Sequence, residues 1–199
     1  LSALKTLEEN NTTTLEPIAA SCGAGAYNVS AVATHILKLE TYNSPAYLPY
    51  LIESHQRNSF LNTSLSLYFN QPYADLIPSL FNGQTNLGSI NSSLTDSISK
   101  LMTPDMLINF ATGETFAPIR ETLENNSVEP WTAKAKLLLV HGKADDVVPA
   151  FESENLYNKF RELGLSESQI QLVLLDGLDH SGGVVPWGIK TILWLESLK

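Results

Sequence analysis

The 199-residue sequence is poor in cysteine, in positive charge and in long apolar runs. Its single cysteine, Cys22, excludes a disulfide within the chain and leaves the redox compartment open. Only 12 Lys and Arg residues stand against 21 Asp and Glu residues, and the net charge of -9 disfavours nucleic acid or an anionic membrane surface as a partner. No apolar run approaches the roughly 20 residues of a transmembrane helix, so no membrane span is predicted.

The sequence does contain three apolar stretches of strand length, at 15–22, 136–141 and 170–175. Helical patterns separate the last two and follow them, and this alternation predicts parallel βαβ units in an α/β fold. The chain opens inside a further helical pattern at 1–9, without a residue that could cap it. Three parallel strands would form a thin sheet with an unpaired edge.

A long middle segment has a different composition, rich in Pro, Tyr, Phe, Asn and Ser, and no convincing strand. Thr103 followed by Pro104 predicts a helix start, and Asn91 is predicted to cap a segment that runs to Met102. Other helices are predicted at 45–55, 72–81 and 114–124. The predicted organisation is a core made of two outer segments with a helical insert between them: 1–41 and 131–199, with 42–130 as the insert.

Two of the predicted strands end in loops that carry titratable side chains. The strand at 136–141 stops at His141-Gly142, and Asp145 follows three residues later. The next strand leads into a glycine-rich loop that presents His180. Because the carboxyl ends of parallel strands converge on one crevice, we expect the side chains of Asp145 and His180 to meet. A carboxylate that orients a histidine is the supporting half of a Ser-His-Asp triad.

The pattern His-Gly-x-x-Asp-x-x-Val-Pro at 141–149, followed by a glycine-flanked His180, resembles the C-terminal part of an α/β-hydrolase, a family in which the acid precedes the histidine. The resemblance covers essentially the whole chain but only the C-terminal half of the family fold. It implies a helical cap or lid at the insert and further strands that precede Leu1. The family's Gly-x-Ser-x-Gly elbow does not occur in the sequence, and the resemblance places it a few residues before Leu1.

The resemblance also implies roles for two residues. Asp145 would accept the Nδ1 proton of His180, and His180 would act as the general base toward a serine hydroxyl. Asp146 is the competing carboxylate, but its spacing from the His-Gly pair fits less well. His141, at the end of a strand, is expected to be structural.

Ser21 and Cys22 are the best nucleophile candidates inside the chain, because they end a predicted strand and precede glycines. They lack the preceding glycine that a strained elbow needs, so both are expected to be structural. His35 and His55 have no ligand spacing with Asp, Glu or Cys, and a metal site is not expected. The resemblance implies no cofactor.

The implied function is that of a secretory lipase or esterase, a serine hydrolase acting on small-molecule or lipid esters outside the cytoplasm, in the extracellular space or periplasm. The long insert and the Asn-Ser-Val-x-x-Trp stretch at 126–131 favour this subgroup. A peptidase of the same fold, a non-catalytic relic or binding module, and an obligate complex with a separate N-terminal fragment stay open as alternatives. Aromatic residues of the insert are candidates either for an acyl pocket or for a small helical core: Tyr47, Tyr50, Tyr68, Phe69, Tyr73 and Phe81.

Overall fold

The computed structural model describes residues 1–10, 16–58 and 61–199. The chain divides into two compact units, one made of Leu1–Asn28 with Val128–Lys199 and one made of Val29–Ser127. The described residues form ten α-helices and three β-strands, in the following order: α1 (Ser2–Glu9), β1 (Ala19–Gly23), α2 (Val29–Ile36), α3 (Tyr47–Arg57), α4 (Tyr73–Leu80), α5 (Leu87–Ser93), α6 (Ile98–Leu101), α7 (Pro104–Asn109), α8 (Ala117–Asn125), β2 (Lys136–Gly142), α9 (Phe151–Glu162), β3 (Ile170–Leu175) and α10 (Val184–Glu196).

The first unit contains a three-stranded parallel sheet in the order β1-β2-β3. The parallel sheet and the strands predicted at 136–141 and 170–175 are confirmed. The strand predicted at 15–22 is found as β1 (Ala19–Gly23). The first residue of the predicted stretch, Leu15, lies outside the described residues. Strand β2 is central and is buried on both faces, which explains its continuous apolar sequence.

Helices cover the two faces of this sheet. Successive residues of a strand point to opposite faces. Leu139 accordingly lies in a cluster with Phe160 of α9, whereas Val140 lies in a cluster with Trp194 of α10. The helix–strand order predicted from the sequence therefore produces a layered α/β unit.

Helix α1 is held to the segment before β2 through its last turn. The Glu8 carboxylate accepts hydrogen bonds from Trp131 Nε1 at 2.6 Å and from the backbone N–H of Ala135 at 2.7 Å. Leu4, one turn earlier, is buried in the same cluster as Trp131. These contacts fix a helix that has no side-chain N-cap.

The second unit is built from helices and two 3-10 turns around its own apolar core. Thr103 caps α7, accepting a hydrogen bond from Met106 N–H at 3.2 Å, which confirms the predicted helix start. The predicted cap at Asn91 is wrong. Asn86 caps α5 instead, and Asn91 lies inside that helix, where its Oδ1 accepts a hydrogen bond from Ala46 N–H at 2.9 Å. The predicted continuous segment to residue 102 is broken between α5 and α6.

Helix α2 belongs to the unit formed by residues 29–127. Its residues Val32 and Ile36 are buried in one cluster with Ile119 of α8. The assignment of residues 1–41 and 131–199 to a core and of 42–130 to a cap stays a prediction. Within the described ranges, no helix combines the length and the apolar character needed to cross a bilayer.

Candidate active site

The loop after β2, residues 143–150, holds a carboxylate in a fixed position. The N–H of Asp145 donates to the Gly142 carbonyl at 3.2 Å, which closes a turn directly after the strand. The Asp145 Oδ1 atom accepts hydrogen bonds from the backbone N–H groups of Val147 at 2.9 Å and Val148 at 2.8 Å. Aspartate favours this kind of turn because its side chain can replace backbone acceptors. The Asp145 side chain is 0% exposed.

The loop after β3, residues 176–183, lies beside the first loop. The N–H of Lys143 donates to the Leu175 carbonyl at 2.9 Å, and the N–H of Ala144 donates to the Leu178 carbonyl at 3.0 Å. Gly142 permits this approach, since a Cβ at its position would lie 2.3 Å from the Leu178 carbonyl oxygen. The close packing of the two loops therefore depends on the glycine that follows His141.

Asp145 and His180 meet where the two loops adjoin. Asp145 Oδ2 lies 2.8 Å from His180 Nδ1, as the sequence analysis expected. A carboxylate is an acceptor, so Nδ1 carries the proton and Nε2 is left as the basic nitrogen. The His180 side chain is 31% exposed. The imidazole can therefore be reached from outside, while the carboxylate behind it is sealed from solvent.

A second histidine contacts the same carboxylate. His141 Nε2 lies 3.2 Å from Asp145 Oδ2 and 2.9 Å from the Val148 carbonyl oxygen. Both neighbours are acceptors, so Nε2 is the protonated nitrogen, and Nδ1 accepts the hydroxyl proton of Ser153 at 2.7 Å. From the sequence, His141 was expected only to be structural. Its position four residues before Asp145 is compatible with this contact but does not predict it, because the turn between them sets the direction of the side chains.

The surroundings of Asp145 favour its ionised form. Burial alone would raise the pKa of Asp145, but hydrogen bonds from His141, Val148, His180 and Val147 outweigh it and hold the pKa below its usual value. The carboxylate is thus available as a permanent acceptor for His180. The neighbouring Asp146 is exposed, and the hydrogen bond to His180 is made by Asp145.

A cavity of about 100 Å³ borders His180 at the carboxyl ends of the strands. Ala24, one of its lining residues, follows β1 with a φ of 46°. That left-handed conformation costs a non-glycine residue about 1–3 kcal/mol and is often found at functional sites. Parallel sheets commonly bind ligands at this end. The cavity, the imidazole and the buried acid therefore occupy the expected place for a reaction site.

The internal nucleophile candidates are engaged elsewhere. Ser21 Oγ lies 2.6 Å from Thr191 Oγ1 and accepts a hydrogen bond from Trp187 Nε1 at 3.0 Å, so it faces helix α10. Burial raises the pKa of the Cys22 thiol, which disfavours the reactive thiolate. Both observations agree with the expectation that these residues are structural. Among the described residues, no cluster of three or more His, Cys, Asp or Glu side chains is arranged to hold a metal ion.

No family profile and no curated protein matches the chain by sequence. Solved structures do match it. A protein from Legionella pneumophila to which hydrolase activity is ascribed shares 22% identity at a TM-score of 0.84, over 98% of this chain and 51% of its own. The rice cell wall degrading esterase LipA from Xanthomonas oryzae shares 18% identity at a TM-score of 0.77, over 92% and 49%.

Candida antarctica lipase A in its closed state matches at a TM-score of 0.62 with 16% identity, over 94% of this chain and 44% of its own. These structures are hydrolases, esterases and lipases of the α/β-hydrolase type. The chain therefore has the fold of part of an α/β-hydrolase, as the sequence pattern suggested. It spans about half the length of the solved structures that it matches.

Proposed function

We propose that this chain is the acid- and histidine-bearing part of a serine hydrolase that cleaves carboxylic esters. The 2.8 Å hydrogen bond between Asp145 Oδ2 and His180 Nδ1 supports this proposal most directly. A buried carboxylate orients the ring and fixes its tautomer, and the exposed edge of the ring offers Nε2 to a hydroxyl group. In this proposal the serine belongs to the N-terminal half of the fold, which precedes Leu1 in the same or a separate chain.

The chemistry follows from these positions. His180 Nε2 takes the proton of the serine hydroxyl as its oxygen attacks the ester carbonyl, and Asp145 stabilises the imidazolium that forms. His180 then returns the proton to the departing alcohol, which leaves an acyl-enzyme. Water, activated by the same nitrogen, releases the acid. Backbone amides of the N-terminal half would hold the oxyanion, and no cofactor is needed.

Two exposed surfaces of the first unit support the proposal that an N-terminal half of the fold packs against it. Strand β1 pairs with β2 on one side only among the described residues, which leaves a sheet edge with unpaired backbone groups. Helix α10 presents exposed apolar side chains at Val185, Ile189, Ile192 and Leu193. An apolar face of this kind marks a surface that another part of a protein covers. In the proposal, the strands that precede Leu1 cover both.

Esters are the proposed substrates because the matched structures include an esterase and a lipase. A location outside the cytoplasm, in the extracellular space or periplasm, is proposed because LipA degrades rice cell wall, a material outside the bacterium. Residues 42–130 would serve as the cap. A peptidase of the same fold remains the second candidate, since the same triad cleaves amides.

Hydrolysis by the full-length protein tests this function. We expect turnover of p-nitrophenyl butyrate, little turnover of a peptide p-nitroanilide, and loss of activity in His180→Gln. Preferential cleavage of the anilide would establish the peptidase instead. A folded full-length protein that hydrolyses neither substrate would support the non-catalytic alternative.

A further inference from the structure

Two buried polar side chains, His141 and Ser153, adjoin the Asp145 carboxylate and form a hydrogen-bonded pair. His141 lies near the end of β2 and is 1% exposed, and Ser153 lies in the first turn of α9 and is 0% exposed. His141 Nδ1 lies 2.7 Å from Ser153 Oγ. Buried polar groups are stable only when they are hydrogen-bonded. The proton transfers assigned to Asp145 and His180 make no use of Ser153, so its buried hydroxyl calls for another role.

The His141 ring is held at both of its nitrogens. Nε2 lies 2.9 Å from the Val148 carbonyl oxygen and 3.2 Å from Asp145 Oδ2. Both of these atoms are acceptors, so Nε2 carries the proton and Nδ1 accepts the proton of the Ser153 hydroxyl. A half-turn of the ring would exchange both nitrogens for carbon atoms. The hydrogen bond from Ser153 therefore selects the ring orientation that directs the Nε2 proton toward the acid.

Through this ring, both oxygens of the Asp145 carboxylate are held. Oδ2 faces His141 Nε2 directly. Oδ1 accepts from the Val148 N–H at 2.8 Å, and the carbonyl of the same residue faces His141 Nε2. Ser153 belongs to a helix that packs on the sheet through Phe160, whereas Asp145 lies on a loop. Groups on loops are placed less precisely than groups on helices and strands, and hydrogen bonds to such elements compensate for this.

We propose that Ser153 is a positioning residue of the triad, which acts through His141 to hold Asp145 Oδ2 at hydrogen-bond distance from His180 Nδ1. Without the hydroxyl, His141 Nδ1 would lose its donor while still buried, which favours a turned or displaced ring and releases Asp145 Oδ2. Small displacements of an orienting group are costly because the reacting atoms must stay aligned. The expected effect on catalysis rests on the proposed function, whereas the hydrogen-bonded geometry does not.

Ser153→Ala in the full-length protein tests this role through hydrolysis of p-nitrophenyl butyrate. We expect kcat to fall roughly three- to tenfold, because one hydrogen bond between neutral groups is lost, with KM unchanged. Ser197→Ala is the control, since that hydroxyl of the same unit donates to the Trp194 carbonyl at 2.6 Å. Wild-type kcat in Ser153→Ala, or an equal loss of kcat in both variants, would overturn the proposal.

A double variant separates positioning from packing. In the His141→Phe background, Ser153→Ala should lower kcat no further, because phenylalanine has no ring nitrogen for the hydroxyl to bind. Residues that act through one another show such non-additive effects, whereas independent residues add. Losses of kcat that multiply in the double variant would mean that Ser153 acts independently of His141, contrary to the proposal.

NMR spectra of the histidine ring nitrogens give a reading that needs no hydrolysis. In the wild-type protein, His141 should have a protonated Nε2 and an unprotonated, hydrogen-bonded Nδ1. In Ser153→Ala, the His141 Nδ1 resonance and the proton resonance of His180 Nδ1 should both move, and Ser197→Ala should leave both in place.

A protonated His141 Nδ1 in the wild-type protein, or an unchanged His180 proton resonance in Ser153→Ala, would contradict the proposal. A wild-type protein that gives the expected spectra and the expected shifts but cleaves no ester would contradict the proposed function instead, and the positioning of Asp145 by Ser153 and His141 would stand.

Discussion

Asp145 and His180 are 35 positions apart in sequence, yet Asp145 Oδ2 lies 2.8 Å from His180 Nδ1. The contact arises because two adjacent parallel strands end at one edge of the sheet and their loops share backbone hydrogen bonds. The Asp145 side chain is buried, and the His180 side chain is partly exposed to solvent. That asymmetry suits an acid that orients and a base that reacts.

Replacing the buried acid with its amide should abolish most of the activity of the full-length protein. In Asp145→Asn, the side-chain nitrogen can donate to His180 Nδ1 and stabilise the wrong tautomer, so kcat is expected to fall roughly 10⁴-fold. Esterase kinetics measure the effect. Asp146→Asn is the matched control, because Asp146 is exposed and the hydrogen bond to His180 Nδ1 is made by Asp145, and it should retain near wild-type kcat. The reverse ranking would assign the acid to Asp146.

His141 should act as a positioning residue for the acid. His141→Phe removes the Nε2 donor that lies 3.2 Å from Asp145 Oδ2. A hydrogen bond to a charged group contributes about 1.5–3 kcal/mol, so kcat should fall roughly 10- to 100-fold with little change in KM. The proton resonance of the Asp145–His180 hydrogen bond should also move, and His141→Gln, which keeps a donor, should restore part of the loss. Lower stability with kcat and the resonance unchanged would mean that His141 only packs.

The buried carboxyl of Glu152 should make stability depend on pH. Burial raises the pKa of Glu152 above its usual value, and hydrogen bonds from Asn28 and Tyr27 N–H only partly offset this. Ionisation therefore costs folding free energy, and the cost is absent below the unfolded pKa and grows as pH rises through the folded pKa. Glu152→Gln keeps an acceptor for Asn28. The free energy of unfolding of Glu152→Gln, minus that of wild type, should increase from pH 4 to pH 7 in urea denaturation experiments. A decrease of this difference over the same pH range would contradict the raised pKa of Glu152.

The approach of the loops that carry Asp145 and His180 should not tolerate a side chain at Gly142. Gly142→Ala would place Cβ 2.3 Å from the Leu178 carbonyl oxygen, so the loop that carries His180 must move. We expect a loss of about 1–3 kcal/mol in the free energy of unfolding, as for other overpacked sites. Gly188→Ala is the control. Apart from its chain neighbours and the backbone of its own helix, no atom of the described residues lies within 4 Å of the added Cβ, and inside α10 the change should stabilise by about 0.5–1 kcal/mol.

The strands and helix starts that could be predicted from the sequence were those set by local residue patterns. The strands β2 and β3 are mostly apolar runs that end at loop residues, and Thr103-Pro104 is a cap followed by a proline, so these features could be located from sequence. The predicted cap at Asn91 failed because its partner is distant in the chain. Asn91 Oδ1 accepts a hydrogen bond from the N–H of Ala46, 45 positions away, and not from the start of a helix.

At the candidate site, too, one contact could be predicted from the sequence and another could not. The pairing of Asp145 with His180 could be expected because parallel strands bring their carboxyl ends together. The contact of His141 with Asp145 depends on the particular turn between them, in which the Asp145 side chain accepts two backbone hydrogen bonds. Sequence spacing does not determine the direction of a side chain after such a turn.

Labelling of the full-length protein with a fluorophosphonate probe, followed by peptide mapping, tests the central claim most directly. The probe reacts with a serine that a histidine has activated. We expect one modified serine, N-terminal to Leu1, and loss of labelling in His180→Gln. A folded full-length protein that is not labelled, or a label on Ser21 or any other residue of 1–199, would contradict the assignment of Asp145 and His180 to a triad completed by an upstream serine.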